Sequence, residues 1–291
     1  MATTHPQTND VPLAVWPVAQ TSSQFQRKGR YLPASTAHPG KMVPALARRI
    51  VETYSVPGQL VCDPMCGIGT TLVEGADLGR RCVGVELESR WAEMAEANLD
   101  HVLLSERRAL AEVRVGDARQ LPALLADVAR TVDLVATSPP YACEVGTVDK
   151  PAWRSGRNLC DRSTLNYSAS RANLGHARDE AYLAQMTEVY RACHSVLRPG
   201  GLLVTVTKNL RRRGRCFDLA AATVELARDA GFSYVQHVVA LLCAIRDSEL
   251  VARPSFWQLT QTRKARARGL PAHLVAHEDV LVFAKKEGVN G

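Results

Sequence analysis

The sequence predicts an α/β fold, a doubly wound and mostly parallel sheet of the Rossmann-like type, and three observations carry that reading. Leu60-Val61-Cys62 is a short apolar run. It leads through Asp63-Pro64-Met65-Cys66-Gly67-Ile68-Gly69-Thr70-Thr71 into a helical pattern from Leu72 to Leu78. A strand, a tight glycine turn and a helix form a nucleotide-binding unit. Arg81 to Glu86 reads as the next strand and ends in an acid about twenty residues past the loop. Further on, Arg198-Pro199-Gly200-Gly201 stops a helical stretch just ahead of an apolar strand.

The remaining elements follow in order. Met1 to Asp10 is polar and lacks an apolar signal segment, and residues 1–30 are expected to form a loose tail. Ala45 to Tyr54 has a helical pattern. Gly67 and Gly69 allow a ligand to approach the backbone closely, and Thr70 and Thr71 are expected to cap the helix behind them. Val113 to Ala118 reads as a third strand ending in Gly-Asp-Ala, and Asp133 to Ala136 as a short buried fourth. Ala181 to Val196 is an amphipathic helix, Leu202 to Thr207 the fifth strand, and Phe217 to Ala230 a helix that Gly231 stops. Tyr234 to Leu242 and Val280 to Ala284 complete the sheet as a hairpin with a long insert. Seven strands are expected, the last antiparallel.

Thr137-Ser138-Pro139-Pro140-Tyr141 follows the fourth strand. Two prolines without N–H groups cannot continue a sheet ladder. What remains is a rigid turn with a hydroxyl at Ser138, carbonyls at Ser138 and Pro139, and the Tyr141 ring. Such a group could hold a planar base by stacking while its oxygens accept the two N–H bonds of an exocyclic amine. The turn resembles the catalytic loop of amino-methyltransferases acting on nucleic-acid bases. That family has Asp, Asn or Ser, then Pro-Pro and an aromatic, and the Ser form is typical of DNA cytosine-N4 enzymes. The resemblance implies that Ser138, Pro139, Pro140 and Tyr141 are the catalytic residues.

The glycine loop resembles the same family's S-adenosylmethionine loop, Asp-Pro-Phe-x-Gly-x-Gly-Thr-Thr, with Met65 in place of Phe. By that resemblance Asp63, Pro64, Met65, Gly67, Gly69, Thr70 and Thr71 hold the cofactor. Glu86 accepts from the ribose hydroxyls and Asp117 from the adenine amine. His38-Pro39-Gly40-Lys41-Met42-Val43-Pro44 resembles the His-Pro-x-x-Phe-Pro segment that closes over the methionine end, which places His38 at the cofactor as a packing group rather than a base. The Leu-Arg-Pro-Gly-Gly break recurs in many cofactor-dependent methyltransferases. A class I methyltransferase domain is therefore expected over 31–288. Here the donor loop precedes the catalytic turn, the reverse of the group its loops most resemble. Circular permutation is known in the family. No large separate recognition domain is expected.

Composition agrees with a cytoplasmic globular enzyme. The chain has 291 residues, 46% of them hydrophobic, and no run of eighteen apolar residues to span a membrane. Its eight cysteines are expected to be free thiols, and they lack the paired spacing of a zinc site, so no metal is expected. A net charge of +7 suggests a polyanionic partner. Lys208, Arg211, Arg212, Arg213 and Arg215 follow the fifth strand, and Arg263, Lys264, Arg266 and Arg268 lie before the last. Both runs, and the basic inserts 142–180 and 244–276, leave from the carboxyl edge of the sheet, where ligands bind. These are the candidate contacts to DNA, expected to be double-stranded with the target base flipped out. Three alternatives stay open: adenine N6 of DNA, usually served by Asp or Asn at the Ser138 position; base methylation of RNA, as in transfer-RNA guanine-N2 enzymes; and a basic binding module without activity. The RNA enzymes usually carry Asp before the prolines and an added N-terminal RNA-binding domain, which the short region ahead of Asp63 is not expected to hold. Recognition sequence and oligomeric state are not legible.

Overall fold

The computed structural model describes residues 11–140, 174, 179–212, 215–254 and 256–287. Its main sheet has eight strands. They are β1 (Val15–Pro17), β2 (Leu60–Asp63), β3 (Arg81–Glu86), β4 (Ala111–Val115), β5 (Val132–Thr137), β6 (Leu197–Thr207), and then two that follow a short hairpin. That hairpin is β7 (Leu210–Arg212) and β8 (Arg215–Phe217). Strand β9 (Phe232–Leu241) comes next, then a second hairpin of β10 (Cys243–Arg246) and β11 (Glu249–Ala252), and finally β12 (His277–Lys285). The sheet order is β1-β9-β12-β6-β5-β2-β3-β4. Strand β12 runs antiparallel to both neighbours, and every other pairing is parallel.

Central strands are apolar along their whole length because helices cover both faces. In β2 all four residues are buried. Alternate residues feed separate cores. Val61, Leu134 and Val204 pack with Leu46 and Ile50 of α2 (Pro44–Tyr54), which follows the five-residue α1 (Ser23–Arg27), and with Leu72 of α3 (Thr70–Asp77) and Leu99 of α4 (Ser89–Val102). Cys62, Val135 and Leu203 face the other way. They meet Leu121 of α6 (Leu121–Leu124), which follows α5 (Ser105–Arg108), Met186 and Tyr190 of α7 (Asp179–Val196), and Leu219 of α8 (Leu219–Asp229). Pro44 stands at the first position of α2, where a missing N–H costs nothing. Asp218 caps α8 by accepting from the Ala221 N–H at 3.0 Å. The last helix is α9 (Phe256–Ala267). No helix among the described residues is long and apolar enough to cross a membrane.

Two expectations need correction. The sheet has eight strands rather than seven, because Val15–Pro17 adds to β9 in register Val15↔Val239 to Pro17↔Leu241. Residues 11–30 are accordingly no loose tail. Trp16 is buried under the α2 side of the sheet, with the Arg49 guanidinium 5.7 Å over its ring. Three residues are too few to show a strand period, and Trp16 gains its place only from burial against helices far along the chain. The insert 244–276 holds the β10–β11 hairpin and α9, and the loop after β6 holds the β7–β8 hairpin. Most of the insert 142–180 lies outside the described residues.

Candidate active site at the carboxyl edge of the sheet

The donor loop leaves β2 at Asp63 and reaches α3 in six residues. Backbone bonds fix its path: the Cys66 N–H donates to the Val85 carbonyl at 3.0 Å, and the Gly69 N–H to the Cys66 carbonyl at 2.8 Å. Gly67 has φ +53° and Gly69 φ +79°, both in the left-handed region. A Cβ on Gly67 would stand 3.1 Å from His38 Nε2, and one on Gly69 3.1 Å from the Ala95 Cβ. Pro64 is buried, and Met65 packs against the α7-side core. Thr70 and Thr71 are not the helix cap. They are its first two residues, Gly69 occupies the cap position, and both side chains are buried.

Asp63 is 3% exposed and accepts from the Met65 N–H at 3.2 Å. Burial pushes its carboxyl up to about 6, against the Thr71 hydroxyl and the Met65 N–H, which favour the charged form. Thr137, the last residue of β5, keeps its hydroxyl buried without a hydrogen-bond partner. Glu86 ends β3 and is also buried. Its two oxygens accept from the N–H groups of Gly67 at 2.8 Å and Glu88 at 3.0 Å, and burial lifts it to about 6 against those bonds. Asp117 caps a short 3-10 turn by accepting from the Arg119 N–H at 2.9 Å. Burial alone would raise its carboxyl, but the Arg119 guanidinium and N–H hold it below the ordinary range. Asp63 and Glu86 end β2 and β3, and Asp117 stands two residues past β4, at the same edge of the sheet.

His38 is buried, with its ring edge-on to Trp91 at 4.6 Å. Burial, then the nearby Lys41 charge, pushes its imidazole down to about 3, with a Gly40 backbone bond opposing. It is a neutral wall of the loop at physiological pH. The acceptor turn starts one strand over, since β5 pairs with β2 in register Cys62↔Val135. Ser138 and Pro140 are half-buried and Pro139 is buried. Tyr141 lies outside the described residues.

The basic runs both leave from this edge. Lys208 is half-buried after β6, Arg211, Arg212 and Arg215 stand on the β7–β8 hairpin, and Arg213 lies outside the described residues. Arg263, Lys264 and Arg266 on α9, and Arg268 after it, are exposed. The sequence gives little sign of two further residues. Asn98 is fully buried on α4. It donates to the Ile68 carbonyl at 2.9 Å and accepts from the Leu32 N–H at 3.1 Å and the Ser35 hydroxyl at 2.9 Å. It thus ties the N-terminal segment to the glycine loop. Arg27, at the end of α1, is buried beside Thr70. Among the described residues no cluster of His, Cys, Asp or Glu is arranged to hold a metal ion.

Residues 3–97 match the family model described as DNA methylase, of the N6/N4 type. A tRNA (guanine(10)-N2)-dimethyltransferase of Methanothermobacter thermautotrophicus is 32% identical over 130 residues, which are 44% of this chain and 36% of that enzyme. The enzyme of the same description from Methanocaldococcus jannaschii is 34% identical over 106 residues, 36% of this chain and 30% of its own. The type II methyltransferase M.MthZI of Methanothermobacter thermautotrophicus is 36% identical over 58 residues, 20% of this chain and 16% of that enzyme. The matches thus span little more than a third of the relatives' length at most.

Solved structures share the fold at low identity. A geranyl diphosphate methyltransferase in complex with GPP and sinefungin superposes with TM-score 0.50 at 15% identity, over 84% of this chain and 79% of that one. The [4+2]-cyclase SpnF gives TM-score 0.51 at 14% identity, over 94% of this chain and 99% of its own. A cyclase among these neighbours means that the fold does not by itself decide the reaction. The resemblance to the N6/N4 type of DNA methylase thus rests on the first third of the chain, residues 3–97, and on the 58-residue match to a type II methyltransferase.

Proposed function

We propose that this protein methylates the exocyclic amine of a base in DNA, with cytosine N4 as the preferred target. One observation carries the reading: the Ser138-Pro139-Pro140 turn and the glycine loop leave adjacent parallel strands, paired in register Cys62↔Val135. Donor and acceptor sites are then neighbours.

The residues present suit the cofactor. Gly67 and Gly69 leave the backbone open to close approach, and Glu86 and Asp117 present carboxylates at strand ends, where ribose hydroxyls and an adenine amine can donate. When bound, S-adenosylmethionine supplies an electrophilic methyl on a positively charged sulfur. The chain's own task is to prepare the amine. A base amine is a poor nucleophile because its lone pair is delocalised into the ring. The Ser138 hydroxyl oxygen and a carbonyl of the proline turn accept its two N–H bonds, which draws the nitrogen towards tetrahedral geometry and frees the lone pair. Prolines hold those acceptors rigidly, so little reorganisation is needed. Asp63 is a positioning residue that holds the start of the glycine loop through the Met65 N–H. Tyr141 stacks on the base, which must leave the duplex first. The basic hairpin β7–β8 and helix α9 grip the backbone phosphates.

Ser138 favours cytosine N4 over adenine N6, and the family model favours DNA. A second reading, base methylation of RNA at guanine N2, is favoured by the two tRNA dimethyltransferase matches, because guanine N2 is also an exocyclic amine. Incubation of duplex DNA and transfer RNA with labelled cofactor, followed by mass spectrometry of the nucleosides, separates them. Labelled N4-methylcytosine is the expected product. Labelled N2-methylguanosine moves the assignment to RNA, N6-methyladenine moves it to the other DNA amine, and no label in any base refutes it.

A further inference from the structure

The N-terminal segment delivers a positive charge into the molecule. Arg27 closes α1 and is 6% exposed. Its Nη2 donates to the Met42 carbonyl and lies 3.4 Å from the Thr70 hydroxyl. Its Nε and Nη1 are buried with no hydrogen-bond partner. The Tyr31 ring lies 5.3 Å from the guanidinium carbon.

The acids around it are spoken for. Glu74, whose charge reaches Arg27, accepts from Arg30 Nε at 3.0 Å, Arg30 Nη2 at 2.9 Å and the Tyr31 hydroxyl at 2.8 Å. Arg48 Nη1 is 3.6 Å from the same carboxylate and 2.8 Å from Asp77, which Arg30 also meets at 3.2 Å. Arg48 also meets Glu52 at 3.1 Å, and none of these acids hydrogen-bonds Arg27, whose Nε and Nη1 stay unmatched. A buried guanidinium with two unmatched nitrogens is costly, and an anion beside it would repay that cost.

Its place says which anion. Thr70 is the first residue of α3, so Arg27 stands at that helix's N-terminus, where first-turn N–H groups carry partial positive charge. Arg27 also bears electrostatically on His38, whose ring lies against Gly67. Arginine, helix terminus and glycine loop therefore surround one spot. We infer that Arg27 is a binding residue of the donor site and pairs with the carboxylate at the amino-acid end of S-adenosylmethionine. The inference rests on the donor-site reading above. In this arrangement the segment that carries β1 and α1 is part of the cofactor site.

Calorimetry tests it without turnover. Two probes are compared: S-adenosylhomocysteine, which carries the carboxylate, and 5′-methylthioadenosine, which keeps the nucleoside and lacks the amino-acid end. Arg27→Gln should weaken S-adenosylhomocysteine by about ten- to a hundredfold, the range of a charge-assisted bond, and leave methylthioadenosine within about twofold. Arg27→Lys should recover part of the loss. Unchanged S-adenosylhomocysteine affinity, or an equal loss for both probes, overturns the assignment. If Arg27→Gln does not fold, the decarboxylated form of S-adenosylhomocysteine repeats the comparison on the unaltered protein. It should bind about tenfold or more weakly, and equal binding refutes the pairing. Failure of the unaltered protein to bind any of these probes would instead refute the donor site itself.

Discussion

Asp63→Asn is the sharpest test of the buried acid that starts the glycine loop. Burial raises the Asp63 carboxyl from 3.8 to about 6. In the unfolded chain the group ionises freely near 3.8, whereas in the folded protein ionisation is resisted until about pH 6. Stability therefore falls as pH rises from about 4, and the loss is complete above about 6. A gap of about two pH units corresponds to about 3 kcal/mol, of which about 1.4 kcal/mol is lost between pH 5 and 8. Asparagine keeps an acceptor for the Met65 N–H but carries no charge. Urea unfolding of both proteins at pH 5 and pH 8 should show the stability of Asp63→Asn relative to the unaltered protein rising by about 1.4 kcal/mol. Glu86, raised to about 6 chiefly by burial, is also raised by the Asp63 charge, so the loss of that charge in the variant shifts the difference in the same direction. A difference independent of pH would show that the Asp63 carboxyl ionises alike in both states. The account of it as a buried acid whose ionisation the fold resists would then fail.

Other substitutions probe separate parts of the site. Gly67→Val puts a branched side chain at φ +53° and a Cβ 3.1 Å from His38, so cofactor affinity should fall at least about tenfold by calorimetry; unchanged affinity in a folded protein moves the donor site elsewhere. Ser138→Ala and Tyr141→Ala should bind cofactor normally and lose methyl transfer, and a wild-type rate in either variant removes that residue from catalysis. Replacing Arg212 and Arg213 with Ala should weaken binding to many DNA sequences alike and flatten the log–log salt dependence by up to about two units. An unchanged slope would leave the hairpin as solvated charge and put recognition on the two inserts.

The central strands were legible because they are short, apolar and closed by glycine, proline or acid. Arg81–Glu86 has the bounds expected of it, and Leu60–Asp63 and Val132–Thr137 differ by a residue or two. The antiparallel last strand and the helix ending ahead of Gly231 were legible for the same reason. Strand β1 was not, since three residues carry no period. The basic loop after β6 and the insert 244–276 looked like charge without pattern. Their hairpins and helix take shape from local pairings such as Arg212↔Arg215 and Arg246↔Glu249 rather than from an apolar face.

The sequence by itself determined the fold class and the order of its central elements, and it carried the expectation for the two loops. Those depend on local steric rules, on where glycine and proline stand, and on which residues alternate. Only the tertiary structure decided what surrounds each charge. It buried Asp63 and Glu86 deeply enough to resist ionisation, gave Asp117 to Arg119, and brought Arg27 from an expected tail to the first turn of α3. Ionisation and pairing depend on solvent exclusion and on neighbours distant in the chain, and no local pattern records either.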